Sequence, residues 1–439
     1  MRSDRPAVRA PQVTPPTSSV TGEEQARGSV RLLVDPSFGP FMVGKMLSTA
    51  GIWINNIAAA ILVYDLTGSA TLVGAVSIAM FAPQLFLTPL FGAMADRGDR
   101  RTQLIWGRLF VVAGSGLLGT WLLLVDVEGT SGAVAVIAAG LVVGIGFSLG
   151  GPAMQALVPS LIRPSELPAA VALSSAPFTL ARAGGPAAGA LIVTAAGPAI
   201  AFLIAAAANL AFAAIVALIR IRERDRDSAT DSSIMAGLRH MRADRVVFAL
   251  LVGTAAVGIG GDPAITLTPP IADELGGGAG LVGALASSFG IGAALAFPWI
   301  GWLGRHMGPS RVAPVGLTSM AVGLGVLAMA PVAPVAILGL GIAGVGFTLA
   351  VVSLSVEIQE RTPEELRGRV MAMWMIAFVG SRPFAAGLNG VVADTVSTQA
   401  ALALSVALLL GGAWIVRPGQ PGDSRRSHGH VHSGPPVPP

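Results

Sequence analysis

The chain has no cysteine. Disulfides, thiolate nucleophiles, cysteine-bound zinc and iron–sulfur clusters are thereby excluded. Charge is also scarce: Asp, Glu, Lys and Arg together make up 12% of 439 residues, about half the share in a soluble domain. So few charges cannot cover a water-soluble surface, so most of the chain must face lipid or other apolar helices. Lysine occurs once, as Lys45, although arginine is plentiful. With abundant Ala and Gly, that usage suggests a GC-rich bacterial genome. No Walker loop or HExxH string occurs, which argues against a self-contained ATP motor, and no enzyme is expected. No apolar core with a small-residue cleavage site follows the early arginines, so no signal peptide is expected.

What is present is apolar length. Hydrophobic residues make up 53% of the chain and the mean hydropathy is +0.71. A bilayer core needs about 20 apolar residues per helix. Twelve stretches qualify: 38–64, 72–94, 104–125, 132–158, 169–194, 198–220, 246–268, 279–302, 313–331, 334–357, 369–391 and 397–416. The fold class is therefore an all-α membrane protein of about 12 transmembrane helices in two six-helix halves. The domain limits follow: a disordered tail at 1–36, an N-terminal half at 37–220, a charged linker at 221–245, a C-terminal half at 246–416 and a second tail at 417–439. The linker is expected to hold an amphipathic helix around Ile234–Met241. The tails are rich in Pro, Ser and Arg and bury too little apolar surface to order themselves.

Arginine placement sets the expected orientation. Alternate loops carry Arg97, Arg100 and Arg101, then Arg163, the central arginines, Arg305 and Arg311, and finally Arg361, Arg367 and Arg369. The intervening loops, such as "DLTGSAT", "DVEGTS" and "TPPIADELGGG", hold no Lys or Arg. Both termini and the linker are therefore expected in the cytoplasm, with the chain a multi-pass protein of the cell membrane. Although the net charge is +4 and the isoelectric point about 10.7, the arginines are spread over loops. They form no patch for nucleic acid.

The halves repeat. "GIGFSL" at 144–149 returns as "GVGFTL" at 344–349, "RPSEL" at 163–167 as "TPEEL" at 362–366, and "GPAAG" at 185–189 as "RPFAAG" at 382–387. Such order at near-constant offset is a plan of secondary transporters. In "TPEEL", Thr362 and Glu365 are expected to form a capping box, with Pro363 in the first helical position.

The residues between spans 2 and 3 then become informative. Gly92, Asp96, Arg97, Arg100 and Arg101 have the spacing of a signature that resembles the major facilitator superfamily, with Asp99 where many members have a second glycine. "YDLTGSATLVG", "ELGGGAGLVGALASSFGIGAAL" and "ERTPEELRGRVMAMWMIAFVG" are similar to the branch containing the enterobactin exporter and macrolide-efflux proteins. The resemblance covers about residues 36–416. It implies two halves rocking about a cavity lined mainly by spans 1, 4, 7 and 10. It further implies that Asp96 latches against the start of span 11, with Arg97 or Arg163 as partner and Gly92 as a close-packing point. Gly185, Pro186 and Gly189 match the Gly-Pro-x-x-Gly pattern of the superfamily's drug antiporters, which favours export; the plain alternative is a packed kink.

Charge inside a bilayer costs about 2.5–3.5 kcal/mol or more, so intramembrane charges are candidates for function. Asp262 reads either as the carrier of a coupling proton or as the cap of a helix break before Pro263. Glu357 is a second candidate carrier, or a partner of Arg361. Arg182 and Arg382 occupy equivalent places in spans 5 and 11 and would tune that carrier or hold an anionic part of a substrate. Asn55, Asn56, Gln84, Gln155 and Asn389 add uncharged polarity, while Lys45 and Arg108 are expected to snorkel to the cytoplasmic face. "GSGLLG" and "GLGIAG" fit a dinucleotide fingerprint but lie inside apolar runs, so they read as helix-packing glycines. The "HGHVH" tail, with His428, His430 and His432, reads as disordered, not as a metal site.

The sequence thus describes a proton-coupled antiporter exporting a small amphiphile such as a drug, siderophore or secondary metabolite. It is expected to act as a monomer, with no cofactor beyond the proton gradient and no partner beyond substrate and bilayer. The alternatives are an uptake symporter and a transport-inactive receptor on the same scaffold.

Overall fold

The computed structural model describes residues 29–219 and 244–417. The expected linker helix around Ile234–Met241, the histidine tail and residues 1–28 lie outside the described residues. Among those described, every element is helical and no strand occurs.

The apolar runs become helices of membrane-spanning length. These are α1 (Phe38–Thr67), α2 (Ala70–Arg97), α3 (Arg100–Leu124) and α4 (Gly129–Leu157). The helix Leu167–Leu218 is broken at Gly197, whose φ of +83° no L side chain tolerates well. It therefore supplies two spans, α5 (167–196) and α6 (198–218). Next comes α7 (Arg245–Gly260), continued by the short helices Pro263–Thr266 and Thr268–Glu274. Span α8 (Ala279–Leu295) bends by 49° into Phe297–Met307. The last four are α9 (Pro309–Ala328), α10 (Ala333–Arg361), α11 (Glu364–Thr395) and α12 (Thr398–Val416). Among the described residues, ten helices are long and apolar enough to cross a membrane, eleven with the bent α8. The break at Gly197 makes the count twelve, as the sequence implies.

Ordering begins earlier than residue 37. Ser29–Leu33 forms a helical turn, and Leu32 is fully buried beside Phe38 and Phe41. Asp35 Oδ1 accepts from the amides of Ser37 and Phe38 and so caps α1. One leucine with a local cap anchors residues 29–36, the described part of a tail whose composition looked unable to order itself.

Two helix pairs join the halves. Helix α2 packs along α11, and α5 along α8. The approach is close enough for backbone to meet backbone: a Cβ on Gly74 would strike the Ala386 carbonyl, and one on Gly290 the Arg182 carbonyl. Small residues permit this closeness. "GSGLLG" does similar work within one half, where Gly114 abuts Ala139 and Gly119 abuts Ala199.

The seam is uneven along its length. Eight of the buried residues of α2 lie between Ala70 and Pro83, and only Ala95 follows. The distal segment of α8, Phe297–Met307, buries none of its residues. The halves therefore meet at the ends that carry arginine-free loops and part at the ends that carry arginines.

Candidate functional site

Helix α5 shows how the Gly-Pro-x-x-Gly string works locally. Gly185 and Gly189 lie against Trp53 and Ile54 of α1. Pro186 has no N–H for the Arg182 carbonyl one turn back. That carbonyl is instead met by Gly290 of α8. The neighbouring Ala187 N–H donates across the seam to Ser287 Oγ at 2.8 Å. The motif is a packed bend that seats α5 on α1 and offers backbone to the opposite half.

On that bend sits Arg182, buried to 6% exposure. Its guanidinium lies over Trp53 at 5.4 Å, Phe289 at 4.8 Å and Phe347 at 4.4 Å. The last two rings belong to α8 and α10 of the other half. Arg382 of α11 repeats the pattern in reverse, over Phe81 of α2 at 5.3 Å and its own Phe378 at 5.2 Å. Such contacts contribute about 0.5–2 kcal/mol each, more when desolvated. The two arginines lie within electrostatic reach of each other. A run of rings connects them: Phe289 with Phe347, Phe347 with Phe378, and Phe378 stacked on Trp374.

Asp262 sits at the break between α7 and its continuation, with 4% exposure. Its Oδ1 accepts from Thr266 Oγ1 at 2.9 Å and its Oδ2 from Asn389 Nδ2 at 2.7 Å. Asn389 Oδ1 in turn accepts from Ser405 Oγ at 3.1 Å. Both carboxylate oxygens are thus committed within the C-terminal half, while Arg382 lies in electrostatic range. Asp262 stands at the helix break before Pro263, but its carboxylate makes no cap hydrogen bond there.

The structure brings Asp262, Arg182 and Arg382 together and leaves the other candidates elsewhere. Glu357 Oε1 pairs with Arg361 at 3.1 Å, one turn on along α10. Asn55 Oδ1 accepts from Ser115 Oγ at 2.8 Å, inside the N-terminal half. Asn56 is buried with Oδ1 unpartnered. Lys45 and Arg108 do not snorkel. Lys45 Nζ donates to the Ser174 carbonyl at 2.8 Å. Arg108 is fully buried, donates to Ser48 Oγ at 2.9 Å and lies over Phe147 and Phe212. Depth alone suggested snorkelling; polar and ring partners on neighbouring helices keep both chains inside.

The loop between α2 and α3 divides by residue. Asp99 is the N-cap of α3: Oδ1 accepts from the Arg101 amide at 2.9 Å and Oδ2 from Thr102 Oγ1 at 2.5 Å. These bonds, led by Thr102, hold its carboxyl below the ordinary range. Arg100 donates to the carbonyls of Ala95 and Ala156, and Arg101 to that of Ala217. The two arginines thus satisfy carbonyls at the ends of α2, α4 and α6. Arg97 is exposed. Asp96 is exposed as well, with no hydrogen bond or ion pair among the described residues. Gly92 has open space around it, so it is not a close-packing point here. Thr362 is not the N-cap of α11 as the expected capping box requires. Pro363 is the N-cap, and Thr362 Oγ1 donates back to the Ile358 carbonyl at 2.6 Å, closing α10.

The other end of α2 holds a residue that the sequence reading passed over. Asp394, near the end of α11, accepts from Ser69 Oγ at 2.6 Å, the Ala70 amide at 2.8 Å and the Thr71 amide at 2.9 Å. A carboxylate of one half caps the first turn of a helix of the other. The signal was an acid near the end of α11, opposite the Ser-Ala-Thr start of α2.

Residues 32–422 match the MFS_3 family, described as "Transmembrane secretion effector". An uncharacterized MFS-type transporter of Salmonella typhimurium (strain LT2) is 32% identical over 109 residues, 25% of this chain and 28% of that protein. Among solved structures, a D-xylose–proton symporter aligns with a TM-score of 0.70 at 14% identity, over 87% of this chain and 97% of its own. The inward-facing form of a bacterial homologue of the iron transporter ferroportin also scores 0.70, at 15% identity over 89% and 98%. The outward-facing form of that homologue scores 0.57.

Proposed function

The chain belongs to the MFS_3 family of major facilitator transporters, and from that premise we propose that it is a proton-coupled antiporter that exports a small amphiphilic molecule across the cytoplasmic membrane. A transporter of this family is not an enzyme, so its chemistry is binding and protonation. The arginine-bearing loops and both termini lie in the cytoplasm, by the positive-inside rule. The structure is then the conformation open to the cytoplasm, with the outer end held by Asp394. The working unit is a monomer, and its energy source is the proton gradient, with no bound cofactor.

The observation that carries this reading is Asp262. It is a buried carboxylate at a helix break, hydrogen-bonded only by uncharged groups. Such a group can be held neutral or charged, as Arg382 approaches or withdraws. In the cycle a proton joins Asp262 when the chamber opens outward and leaves to the cytoplasm when it opens inward. Substrate moves the opposite way. The family description and the Gly-Pro-x-x-Gly bend support the outward direction.

The test uses acid-interior everted vesicles and a panel of cationic, neutral and anionic fluorescent amphiphiles. At least one dye should accumulate and release interior protons. Asp262→Asn should abolish both while the protein still inserts. Wild-type proton release from that variant would overturn the assignment. Movement of dye out of the vesicles together with protons would identify uptake by symport instead.

A further inference from the structure

We infer that the chamber between the halves is an anion site, and that the transported amphiphile carries a carboxylate-like or phosphate-like head on an aromatic or hydrocarbon body. This rests on the transporter reading above and narrows its substrate class.

The first ground is charge. Arg182, Arg382 and Asp262 are the ionisable groups gathered at the seam, two cations against one acid. Asp262 gives neither arginine an ion pair, since its oxygens bond Thr266 and Asn389. Among the described residues, no carboxylate lies within ion-pair distance of Arg182 or Arg382. A buried charge without a countercharge is costly, and a bound anion would supply that countercharge.

The second ground is donor inventory. Buried side-chain nitrogens without a partner include Nε and Nη1 of Arg182, Nε of Arg382 and Nε1 of Trp374. These atoms belong to side chains on one connected run of rings. Guanidinium and indole nitrogens only donate. A site whose open positions are donors selects an acceptor, and a charged acceptor best of all. Asn56 Oδ1 is the one orphan acceptor on α1 beside Trp53.

The third ground is shape. Trp53, Phe81, Phe289, Phe347, Phe378 and Trp374 come from both halves and offer ring faces next to the donors. The guanidinium carbons lie 4.4–5.4 Å from the ring centroids of Trp53, Phe81, Phe289, Phe347 and Phe378, while the N–H groups named above keep no hydrogen-bond partner. An apolar body would lie on the rings with its head among those edges. Because each arginine rests on a ring of the opposite half, a bound anion would bridge both halves and respond to their rocking.

The experiment is binding to the purified full-length protein, read by quenching of its tryptophans without any proton gradient. Three probes of one shape are used: anthracene-9-carboxylate, its neutral carboxamide and 9-(aminomethyl)anthracene. The carboxylate should bind about tenfold or more tighter than either other probe, the size of a charged hydrogen bond. Arg182→Gln and Arg382→Gln should each shrink the carboxylate-to-amide ratio severalfold, and Arg182→Lys should restore part of it. The ratio is decisive even if a variant is less stable, because a purely structural role would weaken both probes alike. Equal binding of the three probes, or an unchanged ratio in both Gln variants, would overturn the inference. Since no gradient is applied, failure of proton coupling leaves this result untouched, and the two readings fail separately.

Discussion

An aspartate stands at each end of helix α2, but among the described residues only one of the two makes a contact. At its start, Ser69, Ala70 and Thr71 give three hydrogen bonds to Asp394 of the opposite half. At its finish, Asp96 is exposed and unpartnered among the described residues. The first end also brings Gly74 and Gly390 into backbone contact across the seam. The second has no comparable approach. A rocking transporter needs this asymmetry, because both ends closed together would leave no path and both open would leave a leak. On the transport cycle proposed above, the family signature at Asp96 would describe a contact of the other conformation, with Asp394 as its counterpart in this one.

The largest expected effect comes from removing the contact that is made. Asp394→Ala deletes three charge-assisted bonds and leaves Ser69 as the cap of α2. Bonds to a charged group contribute about 1.5–3 kcal/mol, so the ratio of the two conformations should shift about tenfold or more. The chain has no native cysteine, so spin labels can be placed at will. Labels at Val125 and Val396 should show a longer distance population in the variant. An unchanged distribution would remove Asp394 from the gate.

Asp96→Asn should do less, and differently. With no partner to lose, the resting distribution should stay as it is. A carboxylate facing a helix N-terminus contributes about 0.3–1 kcal/mol, so the opposite conformation should lose roughly two- to fivefold in population. That loss is best read in the Asp394→Ala background, with labels at Met94 and Arg367. If Asp96→Asn moved the resting distribution as far as Asp394→Ala, the two ends would not differ as argued.

This asymmetry marks where the sequence was legible. Apolar length and arginine placement suffice for the twelve spans, because a bilayer fixes span length. The repeat placed Arg182 and Arg382 at equivalent positions, and the structure brings them together. Contacts that cross hundreds of residues were not legible. Asp394 meets Ser69 across 325 positions, and no local pattern announces that. Arg108 and Lys45 were misread for the same reason: depth is encoded locally, but the Ser48, Phe212 and Ser174 that hold them are not. Gly92 shows the reverse limit, since the motif named a close-packing point where the structure has open space.

Asp99 provides the smallest effect and a control for the comparison. It stands three residues from Asp96, yet its bonds lie within one turn of α3 and touch no other half. Asp99→Ala should therefore leave both label distances unchanged. It should cost only the cap, about 0.5 kcal/mol at the low end for an exposed site, read as faster amide exchange in residues 100–103. The carboxyl is held below its ordinary value of 3.8. A depressed folded value means that its contribution is complete above 3.8 and is lost as pH falls through the lower value. Protection in the wild type should thus exceed that in Asp99→Ala by a constant factor across the neutral range, and the two should converge only in strong acid. Convergence near neutral pH, or a change in either distance, would make Asp99 part of the gate and blur the distinction between a helix cap and a latch.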